Sequence, residues 1–159
     1  MIVQITGTFQ CRFRHIINKS AKIPLVLMKW DISYIIERGE LVQAFEIEFY
    51  ETETGVQPAK DFLLSLDVKM RAKMMNIIDI LKENGYRLRE PYSKHITNGI
   101  FELRAKVGSD ITRVMYFFYI GRRVILTNGF IKKTSKIPKE EIEKAKKYRQ
   151  DYLSRKESG

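Results

Sequence analysis

The chain contains 159 residues, 44% of them apolar, and carries a net charge of +10. A chain of this length can form one hydrophobic core, and its single cysteine, Cys11, excludes an internal disulfide. The two histidines, His15 and His95, are too far apart for a zinc motif, and the longest apolar run near the N-terminus is too short to span a bilayer. We therefore expect a cytoplasmic protein with no membrane partner.

The positive charge is concentrated in one third of the chain. Residues 91–139 contain ten lysines and arginines but only two acidic residues, Glu102 and Asp110. A basic excess confined to one stretch is typical of surfaces that bind nucleic acid, although a basic face can also simply keep a protein soluble. The charge distribution alone favours neither interpretation.

The sequence pattern changes near residue 45. Residues 1–44 contain strand-like pieces such as IVQITGTF and YIIERGELVQAF but no periodicity that makes a domain, so we treat them as an N-terminal extension whose order the sequence does not determine. Residues 45–155 carry the domain pattern. The alternating stretch FEIEFY at 45–50 predicts a strand with one buried face.

Two helices are predicted after this strand. Pro58 suits the first position of a short amphipathic helix, and Asp67 can cap a second helix that ends at Asn84 and Gly85. Apolar residues recur at helical spacing in both segments. We expect the two helices to pack against each other as a hairpin.

The second half of the domain changes to the period of two that strands require. Strands are predicted at 93–97, 100–107, 111–120 and 123–131, joined by NG, GS and GR turns, of which GS and GR are expected to be two-residue hairpin loops. Pro138 then opens a C-terminal helix. The pattern predicts an α+β fold in which a helical hairpin packs on a twisted, mainly antiparallel sheet, with the C-terminal helix alongside.

The GS hairpin places two arginines in an unfavourable position. With Gly108 and Ser109 as the loop, Arg104 lies directly opposite Arg113 on one face of the sheet. Like charges in such a pair destabilise a sheet by several tenths of a kcal/mol. The pair therefore requires an anion, either an internal one such as Glu102 or a bound phosphate.

The same register gathers further basic residues around this pair. The GR hairpin places Phe130 opposite Arg113 with Lys132 on the same face, and Lys94 and Lys106 point the same way. Aromatic residues near this patch could stack on nucleobases. The candidates for this role are Tyr116, Tyr119, Phe130 and Tyr148. Guanidinium and ammonium groups suit transfer at a phosphodiester, and since no acidic cluster is present to hold magnesium, we expect no metal and no other cofactor.

Three quoted stretches carry a resemblance to a known family. They are SKHITNGIFELR, TRVMYFF and ILTNGFIKKTSKIPKEEIEKAKKYRQDY, with the combination E-L-R, R-V-x-Y, G-F-x-K-K and P-x-x-E-I in that order. Residues 45–155 resemble the toxins of bacterial type II toxin–antitoxin modules in the RelE superfamily, specifically its HigB-like, phage-associated branch. The resemblance implies a fold like that of microbial ribonucleases.

The resemblance also implies an activity and partners. Such toxins are messenger RNA endonucleases that act without a metal in the decoding site of the ribosome, inhibit translation, and are neutralised by a small antitoxin that often carries a helix-turn-helix. In RNA, the substrate's own 2′-hydroxyl would attack the adjacent phosphorus. The implied partners are therefore messenger RNA, the ribosome with its RNA, and a cognate antitoxin.

The resemblance assigns roles to individual residues. Arg104 and Arg113 match the residues that bind the scissile phosphate and stabilise its transition state, and Lys94 matches a lysine of RNA positioning or base chemistry. Lys132 and Lys133 match the terminal basic pair. Additional candidates for RNA contact are Lys133, Lys106, Phe130, Tyr148 and Lys136. His95 alternates away from Lys94, so we expect a packed or solvated histidine there.

Two other interpretations stay open. The protein could be a non-catalytic nucleic-acid-binding module, a degenerate relative of phage origin, or an interaction partner whose basic face an acidic antitoxin covers. The arginines could also form ordinary surface ion pairs. Lys132 and Lys133 could serve only to protect a sheet edge.

Overall fold

The computed structural model describes residues 34–37, 40–134 and 136–158, and the chain divides after Gln43 into two units that are described separately. In the first unit, strands β1 (Tyr34–Glu37) and β2 (Glu40–Gln43) form an antiparallel pair with Tyr34 opposite Gln43. The strand-like segment IVQITGTF lies outside the described residues, as do Cys11 and His15.

The second unit is an α+β domain built on one five-stranded sheet. Its elements in chain order are β3 (Glu46–Phe49), α1 (Pro58–Ser65), α2 (Val68–Asn84), a 3-10 turn (Gly85–Arg87), β4 (Ser93–Thr97), β5 (Ile100–Val107), β6 (Asp110–Tyr119), β7 (Arg123–Ile131) and α3 (Lys139–Glu157). The strand order is β3-β7-β6-β5-β4; β3 is parallel to β7 and the other pairs are antiparallel. The predicted fold class is confirmed.

Local signals set the ends of the first two helices as predicted. Pro58 is the first residue of α1. The Asp67 carboxylate caps α2 by accepting hydrogen bonds from the backbone N–H groups of Lys69 and Met70. Gly85 ends α2 with φ +50°, and a side chain at this position would collide with the ring of Phe45.

Helices α1 and α2 cover one face of the sheet. The apolar stripes of both helices pack on side chains that alternate along β5, β6 and β7. The buried residues of this first core include Phe45, Leu63, Met70, Met74, Ile77, Leu81, Leu103, Val114, Tyr116 and Leu126. The helical hairpin therefore does not cover the opposite face of the sheet.

Helix α3 covers only part of that opposite face. Ala145 and Tyr152 are buried there against Met115, Phe117 and Ile125. Several polar contacts fix the helix. Among them, Tyr50 Oη donates to Asp151 Oδ2 at 2.7 Å, Tyr152 Oη donates to Glu48 Oε2 at 3.1 Å, and Asn128 Nδ2 donates to Glu141 Oε2 at 2.9 Å. In the described part of the chain, no helix is both long enough and apolar enough to cross a membrane.

The β6–β7 hairpin differs from its prediction. The loop contains three residues, Ile120 to Arg122, because Tyr119 pairs with Arg123, so the predicted two-residue GR loop is wrong. A β-bulge at Thr127 then shifts the register back by one, and its hydroxyl donates to the Met115 carbonyl at 3.1 Å. Because the two irregularities cancel, Arg113 still lies opposite Phe130, as predicted.

The outer strand β4 is tied to the core by a tyrosine. The hydroxyl groups of Ser93 and Tyr116 are hydrogen-bonded at 2.7 Å. Burial raises the pKa of Tyr116 to about 12, although the hydrogen bond with Ser93 acts in the opposite direction. The folded protein therefore holds the phenol proton more tightly than the unfolded chain, in which the tyrosine pKa is about 10. This contribution to stability is complete below about pH 10 and is lost as the pH rises through about 12.

We expect Tyr116→Phe to weaken the alkaline dependence of unfolding between about pH 10 and 12, because the variant has no phenol proton to lose. At about pH 8 the variant should be less stable by about 1 kcal/mol, since the hydrogen bond with Ser93 is removed. Urea unfolding at several pH values measures both effects. An alkaline slope identical to that of the wild type would contradict the role of Tyr116.

Candidate functional site

The register of β4, β5 and β6 places the predicted arginines and lysines on one face. Arg104 lies directly opposite Arg113, and Lys94 lies opposite Glu102. Facing residues in neighbouring strands point to the same side of a sheet. This is the side that α3 covers only in part, and we call its uncovered part the basic face: Lys94, Arg104, Lys106, Arg113 and Lys132.

A buried carboxylate lies between the two arginines. Glu102 is only 1% exposed, and its Oε1 is 2.7 Å from Arg104 Nε while its Oε2 is 3.2 Å from Arg113 Nε. The diagonal spacing of Glu102 and Arg113 across β5 and β6 is short enough for long side chains to meet. Of the two sources of negative charge that the sequence leaves open, the internal one, Glu102, is therefore present between the two arginines. We call Glu102, Arg104 and Arg113 the Arg–Glu–Arg cluster.

The two arginines of the cluster have different environments. Arg113 is 8% exposed, and its Nη1 donates to the Thr112 carbonyl at 3.0 Å. Burial lowers the pKa of Arg113, and the nearby charge of Arg104 lowers it further, whereas Glu102 raises it. The Arg104 side chain is 24% exposed and reaches the solvent. Because two guanidiniums share one carboxylate, the cluster keeps an excess of positive charge.

A second carboxylate contacts the cluster from the surface. Glu90, whose side chain is 59% exposed, has Oε2 3.4 Å from Arg104 Nη1 and Oε1 3.6 Å from Lys94 Nζ. Such exposed ion pairs contribute about 1 kcal/mol or less because water and salt screen them. An incoming anion can therefore replace Glu90 at Arg104, whereas the buried Glu102 stays in place.

The other predicted site residues are distributed more widely. Lys106 is exposed on β5, and Lys132 continues the line of β7, where its backbone N–H donates to the Ile111 carbonyl at 2.8 Å. Phe130 is buried opposite Arg113 and offers little ring surface to a base. Lys133 and Lys136 are exposed in the connection between β7 and α3.

The aromatic candidates take part in packing. Tyr148 stacks on Tyr50 with ring centroids 4.6 Å apart, within the apolar contact between α3 and the sheet. Tyr116 is buried under the helical hairpin on the other face, so its suggested role in stacking on RNA is wrong. His95 lies opposite Phe101 with the two rings 5.0 Å apart, on the side away from Lys94, as predicted.

Sequence reasoning underestimated the acidic residues of the site. The sequence indicated Glu102 only as one of two possible sources of the anion, and it did not indicate Glu90. The signal for Glu102 was present, because Glu102 is the acidic residue of 91–139 that shares a face with both arginines. Among the residues that the structure describes, no three histidine, cysteine, aspartate or glutamate side chains are grouped so that they could hold a metal ion.

Comparison with models of known protein families identifies the family of this chain. Residues 61–150 match the family model for phage-derived Gp49-like proteins. The chain belongs to this family. The family is RelE-like and toxin-like, which agrees with the RelE part of the resemblance in the quoted motifs, and the match includes all residues of the basic face. A search of curated proteins found no match.

We expect Glu102→Gln to destabilise the protein by about 3 kcal/mol, because it leaves two buried or half-buried guanidiniums without their shared counter-ion. The matched control, Glu90→Gln, makes the same change of charge at the exposed carboxylate and should cost less than about 1 kcal/mol. Chemical denaturation of both variants measures the difference. Equal effects would show that Glu102 is not the central counter-ion of the cluster.

Proposed function

We propose that this protein is an endoribonuclease that cuts messenger RNA on the ribosome, a toxin of the HigB-like branch of the RelE superfamily. The observation that carries the proposal is the Arg–Glu–Arg cluster on an open basic face, in a chain of the Gp49-like family. We assign the activity to residues 45–155, with residues 1–44 as an extension. The proposed location is the cytoplasm, where the ribosome presents the substrate.

The proposed reaction needs charge stabilisation more than any other contribution from the protein. The 2′-hydroxyl of the substrate attacks the adjacent phosphorus, the bond from phosphorus to the 5′-oxygen breaks, and the products are a 2′,3′-cyclic phosphate and a 5′-hydroxyl. Negative charge accumulates on the phosphoryl oxygens in the transition state. Guanidinium groups that are already held in place stabilise that charge without reorganisation.

The contacts of the cluster support separate roles for its members. Arg104 reaches the solvent and would bind the scissile phosphate, displacing Glu90. Arg113 lies deeper and would add its charge behind Arg104, while Glu102 forms an ion pair with both guanidiniums. Lys94 and Lys132 share the face and would contact neighbouring phosphates of the RNA.

Two partners follow from this proposal. Ribosomal RNA would contact the wider basic face, including Lys106, Lys133 and Lys136, through salt-sensitive phosphate contacts. A cognate antitoxin, with a helix-turn-helix of its own, would cover the same face and keep the toxin inactive.

Two observations favour a second candidate, a non-catalytic RNA-binding module. Glu102 already neutralises part of the charge of the arginines, and His95, a residue type often used in acid–base catalysis, points to the other side of the sheet. Such a module would bind RNA through the basic face without cutting it.

We expect Arg113→Ala to lower ribosome-dependent cleavage by about 10²- to 10³-fold, because a charge that stabilises the transition state is removed. RNA affinity should fall much less. The assay adds purified protein to ribosomes programmed with a defined messenger and maps the RNA ends, including the cyclic phosphate. Lys60→Ala, which removes a positive charge from α1 on the other face, is the matched control and should cleave normally.

Two further measurements make this test decisive. Circular dichroism and thermal unfolding show whether Arg113→Ala is folded, and Arg113→Lys keeps the charge if the alanine variant is not. A folded wild-type protein that binds ribosomes but does not cut the messenger would overturn the nuclease and favour the binding module.

We expect Glu90→Gln to tighten the binding of non-cleavable RNA by about two- to fivefold at low salt, because a carboxylate that competes for Arg104 and Lys94 is removed. The gain should shrink as salt screens these exposed charges. Fluorescence anisotropy measures the affinity. Glu83→Gln on α2 makes the same change of charge elsewhere, and an equal gain in this control would assign the effect to net charge alone.

A further inference from the structure

A groove lies beside the Arg–Glu–Arg cluster, next to the end of β5 that does not pair with β4. The pairing of β4 with β5 begins at Ser93 and Leu103, and the last contact before it is a hydrogen bond of 2.8 Å from the Arg104 backbone N–H to the Tyr92 carbonyl. Strand β5 continues to Val107 beyond this point. The space between this end of β5 and helix α2 is a groove of about 320 Å³.

The groove is basic. Its charged lining residues are Lys73 from α2 and Arg104, Lys106 and Arg113 from the sheet; its lining includes no acidic residue of the described chain. No ion pair joins Lys73 or Lys106 to a carboxylate within residues 43–134 and 136–158, so these two charges add to the excess of the cluster. A ligand of this groove should carry negative charge.

The remaining wall of the groove is apolar and aromatic. Ile77 of α2 and Ile111 of β6 line it together with Pro91 and Tyr92. Tyr92 is 37% exposed, and its backbone is held on both sides, since its N–H donates to the Arg89 carbonyl at 3.1 Å and its carbonyl accepts from Arg104. The backbone of Tyr92 is therefore held beside Arg104, and both side chains line the groove.

We propose that this groove binds the nucleotide next to the scissile phosphate of a single-stranded RNA. The base stacks on Tyr92 against the apolar wall, and Lys73 contacts the phosphate that follows. This proposal rests on the proposed function, which places the reacting phosphate at Arg104. An aromatic ring beside several cations is the combination that binds single-stranded nucleic acid, and the volume is at the lower end of the range for small-ligand clefts, about 300 to 1,000 Å³. A single nucleotide suits this size better than an extended acidic peptide.

The test is a binding experiment that does not depend on cleavage. A fluorescent RNA with 2′-O-methyl groups, which cannot be cut, is compared at low salt with the same oligonucleotide in which the nucleotides are abasic. We expect Tyr92→Ala to weaken binding of the intact oligonucleotide about tenfold and to leave binding of the abasic one nearly unchanged. Tyr92→Phe keeps the stacking surface and should bind like the wild type.

Lys73 is tested by charge in the same assay. Lys73→Ala should weaken binding of both oligonucleotides and reduce the dependence of binding on salt, because it removes a phosphate contact. Lys69→Ala, one helical turn earlier and exposed on α2, is the control and should have a smaller effect.

The outcomes separate this proposal from the nuclease. If the wild-type protein cleaves messenger RNA on the ribosome, but Tyr92→Ala loses equal affinity for intact and abasic RNA, the groove is overturned as a nucleotide site. The nuclease proposal then remains valid. If the wild-type protein does not cleave, but Tyr92→Ala loses affinity for intact RNA and not for abasic RNA, the groove is supported and the nuclease is overturned. Displacement of RNA by an acidic peptide, with no dependence on the bases, would overturn the groove as a nucleotide site.

Discussion

The site depends on one interaction, the contact of the buried Glu102 carboxylate with both Arg104 and Arg113. The hairpin between β5 and β6 forces the two guanidiniums onto facing positions, where they would otherwise repel each other. A carboxylate that is 1% exposed can stay charged only with close positive partners, and the arginines can lie this deep only with a negative one. Each of the three side chains therefore makes the burial of the others tolerable, and the result is a partly buried ionic cluster with an excess of positive charge.

The two faces of the sheet divide the tasks of the domain. Helices α1 and α2 cover one face with an apolar core, so that face supplies stability. Helix α3 covers only part of the other, held at its ends by contacts such as Asn128 with Glu141 and Tyr50 with Asp151. The uncovered part carries the basic residues. Membership of the Gp49-like family agrees with this division, because the matched region contains the whole basic face.

Much of the fold could be predicted because its signals are local. The cap at Asp67, the positive φ of Gly85 and the two-residue loop at Gly108 and Ser109 each follow from the chemistry of one or two residues. The length of the β6–β7 loop could not be predicted. The sequence Ile-Gly-Arg is compatible with a two-residue loop of Gly121 and Arg122 and with a three-residue loop that also includes Ile120. The bulge at Thr127 restores the register, and its cause is tertiary: the hydroxyl bonds to the Met115 carbonyl of the neighbouring strand.

The sequence by itself determined which residues share the basic face, since strand alternation and a short hairpin loop are enough to place Arg104 opposite Arg113. Only the tertiary structure decided how their charges are balanced, how deeply each is buried, and which aromatic rings stay available. Those properties depend on which elements cover each face. Tyr116 is buried under the helical hairpin, Tyr148 stacks on Tyr50, and Tyr92, which directly precedes β4, stays 37% exposed. Periodicity assigns a side chain to a face, but burial and electrostatics arise when distant elements pack against that face.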